Sequence, residues 1–125
     1  MQDKKNVLIV EDNPVNLIMA ERMLSQLNLN VFSASDGQQA VEFFKSNEIA
    51  LIFMDCQMPI MDGFAATREI RDIETQNNSH IPIIAMTANA FKEDREECIT
   101  AGMDGFLSKP FRMQELLDII NKWLN

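Results

Sequence analysis

The chain has 125 residues, which is enough for one domain with a substantial core and leaves no room for a second. Its net charge of −8 argues against a nucleic-acid surface, because phosphate contacts need clustered lysine and arginine. No apolar stretch approaches the roughly 18 residues of a membrane helix, and the first residues lack the apolar core of a signal peptide. We therefore expect one cytoplasmic domain over residues 1–125, without a membrane segment.

Five short segments have the apolar character of β-strands. They lie at residues 6–10, 30–34, 50–54, 82–86 and 104–107. The first, third and fourth are continuous apolar runs, as expected of strands that are covered on both faces. Stretches with helical spacing of apolar residues follow the strands. Five successive strand–helix units predict an α/β fold, with a five-stranded parallel sheet and helices on both faces.

The helical segments carry start and stop signals. Asn13-Pro14 is a favourable start for the first helix, whose apolar spacing is given by Val15, Ile18, Met19, Met23 and Leu27. A polar loop is expected at residues 75–80, and Gly102 suits the end of the fourth helix.

Polar residues stand where the apolar runs end. Glu11 and Asp12 follow the first run, Asp55 the third, Thr87 the fourth and Lys109 the fifth. Any one of these is equally well explained as a solvated turn or an ordinary strand end. The carboxyl ends of parallel strands share one edge of a sheet, however, and open α/β sheets bind ligands there. The sequence therefore predicts that these side chains converge on one site, outside the core.

The chemistry of this set is coherent. Three carboxylates offer the hard oxygen ligands that Mg²⁺ prefers, and Mg²⁺ takes few protein carboxylates and keeps several waters. Three carboxylates and one lysine leave two net negative charges, which a divalent cation neutralises.

Four motifs make the chain recognisable, and each stands at a predicted strand end. They are Ile9-Val10-Glu11-Asp12-Asn13, Phe53-Met54-Asp55-Cys56-Gln57-Met58-Pro59-Ile60-Met61-Asp62-Gly63, Met86-Thr87-Ala88-Asn89-Ala90 and Gly105-Phe106-Leu107-Ser108-Lys109-Pro110-Phe111. With them the chain resembles the CheY-like receiver domains of two-component response regulators, over essentially its whole length. The sequence from Asp55 to Arg71 looks most like that of receivers in hybrid sensor histidine kinases. The resemblance implies the (βα)5, flavodoxin-like fold.

The resemblance also implies a phosphoacceptor and a metal site. Asp55 would take a phosphoryl group from the phosphohistidine of a histidine kinase or histidine phosphotransfer protein. Mg²⁺, or Mn²⁺, would be bound by Asp12, Asp55 and the backbone carbonyl of Gln57, with Glu11 acting largely through water. The domain would catalyse only its own phosphorylation and dephosphorylation, and would not be an enzyme in the ordinary sense.

A second group of residues would bind the phosphoryl group and transmit the signal. The resemblance implies that Lys109 and Thr87, with the neighbouring Ala88, contact the phosphoryl oxygens. Phe106 would be the aromatic switch residue, although ordinary core packing explains it equally well. The fourth helix, fifth strand and fifth helix would form the face for a downstream partner or tethered kinase domains. The Lys109–Pro110 peptide bond is expected to be cis.

Two alternatives fit part of this pattern: one has an Asp nucleophile after a strand, and the other has the same expected topology. An aspartyl-phosphate phosphatase or mutase would need an aspartate general acid two residues after the nucleophile, where this chain has Gln57. A flavodoxin-like electron carrier would need a Ser/Thr/Gly-rich phosphate loop after the first strand, which the sequence lacks. The two cysteines, Cys56 and Cys98, form no CxxC pair, and strand alternation points Cys56 away from the site.

Overall fold

Strands and helices alternate along the whole chain in the computed structural model, which describes residues 4–56, 58, 61–87, 92–109 and 111–124. The elements are β1 (Lys5–Val10), α1 (Pro14–Ser25), β2 (Leu29–Ala34), α2 (Gly37–Ser46), β3 (Leu51–Asp55), α3 (Gly63–Asn77), β4 (Ile83–Thr87), α4 (Lys92–Ala101), β5 (Gly105–Ser108) and α5 (Met113–Leu124). Across the described residues, no helix combines the length and apolar character that a membrane span requires.

The five strands form one parallel sheet in the order β2-β1-β3-β4-β5. The predicted fold class is therefore confirmed. The chain moves outward from β1 to β2 and then returns to the other side of β1, so the direction of winding reverses between β1 and β3. A crevice opens at such a reversal, outside the carboxyl ends of the two strands.

Side chains alternate between the two faces of the sheet and build two cores. Leu8, Val10, Ile52 and Met54 pack on the face covered by α2, α3 and α4. Val7, Ile9, Leu51 and Phe53 pack on the face covered by α1 and α5. Because each central strand is buried on both faces, its sequence is a continuous apolar run rather than an alternating one.

The strand ends differ from the prediction by one residue, and the difference matters for Asp55. The ladder pairs Asp55 with Met86 and Thr87 with Ser108, so these polar residues are the last of β3 and β4 rather than the first beyond them. Asp55 is only 6% exposed and Thr87 9%. The expectation that the Asp55 carboxylate lies outside the core is therefore wrong: it faces the crevice from within the sheet.

Helix α1 buries only part of the face that was expected: Met23 and Leu27 are partly buried and pack against the core, but three other residues of that face do not. Ala20 and Leu24 are buried, whereas Val15, Ile18 and Met19 are 65%, 50% and 52% exposed. Apolar residues occupy two sides of this helix, so periodicity alone could not select the buried one. The structure leaves an apolar patch, formed by Val15, Ile18 and Met19, on the first two turns of α1.

Helix α3 is longer than predicted. It continues to Asn77 through the first half of the segment expected to be a polar loop. Asn78 ends it in the left-handed conformation, with φ 57° and ψ 39°, which asparagine tolerates better than most residues. Polar residues on the exposed face of a helix cannot be told from loop residues by composition.

A network of ion pairs and hydrogen bonds lies near the amino ends of β4 and β5. The Arg71 guanidinium donates to Glu74 Oε1 at 2.5 Å and to Asp104 Oδ2 at 2.6 Å, and its Nε donates to the Gly102 carbonyl at 2.9 Å. It also donates to the Ile81 carbonyl at 2.8 Å. One side chain therefore connects α3 to the segments that lead into β4 and β5.

Candidate functional site

Backbone hydrogen bonds beyond the strands position the residues of the crevice. The Glu11 N–H donates to the Ala34 carbonyl at 3.0 Å, and the Lys109 N–H donates to the Thr87 carbonyl at 2.8 Å. Each bond continues a parallel ladder by one residue past the end of a strand. The side chains that follow β1 and β5 are thus held on an extension of the sheet, not on a free loop.

Three carboxylates converge at the carboxyl ends of β1 and β3. Glu11, Asp12 and Asp55 each offer one oxygen, and these oxygens all lie within 4.8 Å of one another. Glu11 is 2% exposed and Asp55 6%, whereas Asp12 is exposed. Because β1 and β3 are neighbours in the sheet, their carboxyl ends bring residues more than forty positions apart into one cluster.

Lys109 reaches this cluster from the end of β5. Its ammonium lies 2.7 Å from Glu11 Oε1 and 3.2 Å from Asp55 Oδ2. Burial disfavours the charged form of Lys109, but the hydrogen bond to Glu11 and the charge of Asp55 outweigh it and raise the pKa of the lysine. Burial likewise opposes ionisation of Glu11, yet the hydrogen bond shared with Asp55 and the Lys109 ammonium hold the pKa of Glu11 below its usual value.

One carboxylate oxygen in the cluster has no hydrogen-bond partner in the part of the chain that the structure describes. Glu11 Oε2 is buried without a hydrogen bond to any of the described residues. A buried carboxylate oxygen normally has a partner, and a water or metal ion is the usual explanation when the protein supplies none. The cluster is built entirely of hard oxygen donors, so the residues present fit a Mg²⁺ ion better than a softer metal.

Asn16 is a member of the site that the sequence analysis did not identify. Its side chain lies beside Glu11 and makes the smallest of the contributions that lower the pKa of that carboxyl group. Asn16 lies three residues after the helix cap Asn13, at the start of α1. An asparagine near a helix start is ordinary in sequence, which is why no signal distinguished it.

The two predicted switch residues lie on adjacent strands. Thr87 ends β4 and is paired in register with Ser108 of β5. Phe106 is half-buried on β5, packs against the core under α2, α3 and α4, and lies beneath the guanidinium of Arg95, 5.6 Å from the ring centre. Such a cation–π contact stabilises the observed position of the ring by about 0.5–1 kcal/mol at an exposed site.

Several predicted positions lie outside the described residues. These are Gln57, Ala88 and Pro110. The backbone carbonyl ligand, the contact of Ala88 with the phosphoryl group and the cis peptide bond therefore stay predictions.

A model of one protein family matches almost the whole chain. It is the response regulator receiver domain, and it matches residues 7–121. The chain belongs to this family. The match spans β1 to α5 and includes every strand end at which the carboxylates, Thr87 and Lys109 lie.

Related sequences and structures agree with this assignment. Histidine kinase 3 of Arabidopsis thaliana is 38% identical over 97% of this chain, and the hybrid signal transduction protein dokA of Dictyostelium discoideum is 41% identical over 98%. The chain spans only 14% and 7% of these two proteins. The resemblance to receivers of hybrid histidine kinases is thereby confirmed.

Solved receiver structures have the same fold. The receiver domain of sensor histidine kinase PA1611 from Pseudomonas aeruginosa, solved with a magnesium ion in its active site cleft, is 45% identical, with a TM-score of 0.89 and 98% of each chain covered. A chain in the co-crystal of the Saccharomyces cerevisiae phosphotransfer protein Ypd1 and the receiver domain of Ssk1 is 34% identical, with a TM-score of 0.91 and coverage of 98% of this chain and 90% of that one. These findings favour neither the phosphatase nor the flavodoxin alternative.

Proposed function

We propose that this receiver domain accepts a phosphoryl group on Asp55 in a magnesium-dependent phosphorelay. The observation that carries the proposal is the cluster at the carboxyl edge. Three carboxylate oxygens lie within 4.8 Å of one another, and the Lys109 ammonium contacts two of the three side chains. Few structural roles would require so much buried negative charge around one cation.

Mg²⁺ is the proposed cofactor, with Mn²⁺ as a substitute. Asp12 and Asp55 would bind it directly, together with the Gln57 carbonyl, and Glu11 would act through water. Glu11 Oε2, which no described residue contacts through a hydrogen bond, supports this assignment, and the similar receiver of PA1611 was solved with magnesium in its cleft. The ion would supply positive charge to the equatorial oxygens of the transferring group.

The residues of this chain have distinct tasks in the transfer. A carboxylate oxygen of Asp55 attacks phosphorus, the bond between phosphorus and the histidine nitrogen breaks, and an acyl phosphate forms. Lys109, already at the Asp55 carboxylate, pairs with a phosphoryl oxygen, and the Thr87 hydroxyl donates a hydrogen bond to another. Positioning and charge stabilisation are most of what phosphoryl transfer requires of a protein.

The proposed donor is a phosphohistidine on a histidine kinase or histidine phosphotransfer protein. The structure of the yeast phosphotransfer protein Ypd1 with the Ssk1 receiver supports this class of partner. The apolar patch of Val15, Ile18 and Met19 lies on the first turns of α1, directly after Asp12, and suits a docking surface for the donor. Phosphorylation would then alter the α4–β5–α5 face, which a downstream partner or tethered kinase domains would bind.

Two further assignments belong to the proposal. The domain acts as a phosphorylatable signalling module and not as an enzyme with a separate substrate, since the only group it modifies is its own Asp55. It works in the cytoplasm, and its two cysteines, which are thiols, are typical of a reducing compartment.

Mass spectrometry after incubation with Mg²⁺ and acetyl phosphate tests the proposal. Wild-type protein should gain one phosphoryl group on Asp55, and Asp55→Asn should gain none. Asp72→Asn, which changes an exposed carboxylate on α3, is the matched control and should label like wild type. Labelling of the Asp55 variant at another residue, or no labelling of the wild type, would overturn the assignment.

A further inference from the structure

Two thiols meet in the core beneath the phosphoacceptor position. Cys56 Sγ lies 3.7 Å from Cys98 Sγ, and the two residues are 4% and 0% exposed. Cys56 directly follows Asp55, and Cys98 is on α4. We propose that this pair is a redox modification site, at which a hydroperoxide converts the two thiols to a reversible disulfide that links α4 to the residue directly after Asp55.

The backbone around each thiol is held in place. The Cys56 N–H donates to the Met86 carbonyl at 3.2 Å, and the Cys56 carbonyl accepts from the Gly63 N–H at 3.3 Å. Cys98 is in the last turn of α4, where its carbonyl accepts from the N–H groups of Gly102 and Met103. The fold therefore fixes the backbone positions from which the two sulfur atoms approach each other.

Closing the bond requires only a small movement. A disulfide has an S–S distance of about 2.05 Å, so the sulfur atoms must approach by roughly 1.6 Å. Since Cys56 is fixed on the sheet, α4 is the element that can move. Helix shifts of about 1–2 Å are among the movements by which proteins switch between states. A disulfide would thus hold α4 in one position within its range of movement.

The chemistry balances with the hydroperoxide as the only oxidant. It oxidises the Cys56 thiol, the slightly more exposed of the two, to a sulfenic acid and leaves as an alcohol, or as water from hydrogen peroxide. The Cys98 sulfur then attacks the Cys56 sulfur, and the sulfenic hydroxyl departs as water with the Cys98 proton. A thiol reductant reverses the bond by exchange through a mixed disulfide.

Oxidation and phosphorylation would both affect the position of α4. Both thiols are buried, so the hydroperoxide gains access when α4 moves away from the sheet, and the disulfide then stops that movement. The bond would reduce the opening of α4, an element of the proposed output face. This consequence rests on the proposed function, whereas formation of the disulfide does not.

The test is oxidation of the folded wild-type chain with hydrogen peroxide. We expect a product that has lost two hydrogen atoms, yields a linked Cys56–Cys98 peptide and returns to the starting mass with dithiothreitol. Amide hydrogen exchange in α4 should become slower in the oxidised protein. The variants Cys56→Ala and Cys98→Ala should each give no intramolecular product. The single variants are compared only if their circular dichroism matches the wild type, and the wild-type result stands without them.

Several results would contradict the proposal. The proposal would be overturned by a stable sulfinic acid on one cysteine or by an intermolecular dimer. It would also be overturned if the disulfide formed only under conditions in which most of the protein is unfolded. Unchanged exchange in α4 of the oxidised protein would overturn the claim that the bond restrains the helix. Asp55 labelling of the reduced protein is measured in parallel. Its failure would contradict the proposed function and leave the disulfide result unaffected.

Discussion

Lys109 occupies a position that a metal ion must share. Its ammonium is bonded to Glu11 and lies 3.2 Å from Asp55, so two of the three carboxylates already have a cation. Removing one partner of such a pair usually leaves an uncompensated charge behind. Here the remaining carboxylates would instead present a more negative site to Mg²⁺, because the competing positive charge is gone.

We predict that Lys109→Met binds Mg²⁺ more tightly and accepts phosphate more slowly. Magnesium affinity should rise by roughly tenfold, or about 1.4 kcal/mol, as measured by isothermal titration calorimetry. Labelling with acetyl phosphate should fall, because no ammonium then pairs with the phosphoryl oxygen. Lys45→Met, which removes an exposed lysine on α2, should change neither quantity. Unchanged or weaker magnesium binding by Lys109→Met would contradict the competition.

Individual site residues could be named from the sequence because strand ends are easy to read in a parallel sheet. Apolar runs such as 50–54 stop near the carboxyl end of a strand, and this position identifies the following Asp55 as a candidate site residue. The burial of Asp55 could not be predicted from the sequence, because it depends on the pairing of Asp55 with Met86, which extends β3 by one residue. The Arg71 network could not be predicted, because it depends on contacts between segments that are distant in sequence, such as Arg71 with Asp104. Asn16 lies close to Glu11 in sequence, but an asparagine at a helix start carries no signal of a site.

At the scale of whole elements, the periodicity of apolar residues in α1 does not determine which side of the helix is buried. Its apolar residues cover two sides, and packing against the sheet selected the side with Ala20 and Leu24. The other side keeps Val15, Ile18 and Met19 in solvent next to the acidic cluster. Contiguous exposed apolar residues often mark an interaction site, which agrees with the proposed docking of a phosphodonor on this side of α1.

We predict that Ile18→Ser slows phosphotransfer from a protein donor and leaves labelling by acetyl phosphate unchanged. The rate from a phosphorylated histidine phosphotransfer protein that labels the wild type should fall by about fivefold or more, since truncating an interface residue often costs above 1 kcal/mol. Ile99→Ser, at a 63% exposed position on α4, is the matched control and should transfer normally. Equal slowing with both donors would place Ile18 in the site and not in a docking surface.

At the scale of the whole molecule, the two edges of the sheet differ in how their charges are satisfied. At the carboxyl edge, three carboxylates share one lysine, and Glu11 Oε2 has no partner among the described residues. At the amino edge, Arg71 makes four hydrogen bonds, and both carboxylates that it contacts also accept backbone N–H groups. The first edge is arranged for a ligand and the second for stability.

We predict that Arg71→Lys destabilises the fold without affecting phosphorylation. Lysine keeps the charge but cannot reproduce the planar set of donors, so the free energy of unfolding should fall by about 2 kcal/mol. Urea denaturation at fixed Mg²⁺ measures the change. Arg68→Lys, an exposed position on the same helix, should lie within about 0.5 kcal/mol of wild type. A loss of Asp55 labelling in folded Arg71→Lys would show that the two edges are not independent.

The strand order also divides the site between early and late parts of the chain. Glu11 and Asp12 follow β1 and Asp55 ends β3, and these two strands are central and paired directly. Lys109 instead follows β5, at the edge of the sheet. Proteins open locally in cooperative units, and terminal segments open at a lower free energy than core strands do. Fraying of β5 and α5 would carry the lysine away and leave the carboxylates in place. A partly unfolded molecule would therefore keep the three carboxylates together while losing the lysine that we propose binds the phosphoryl group.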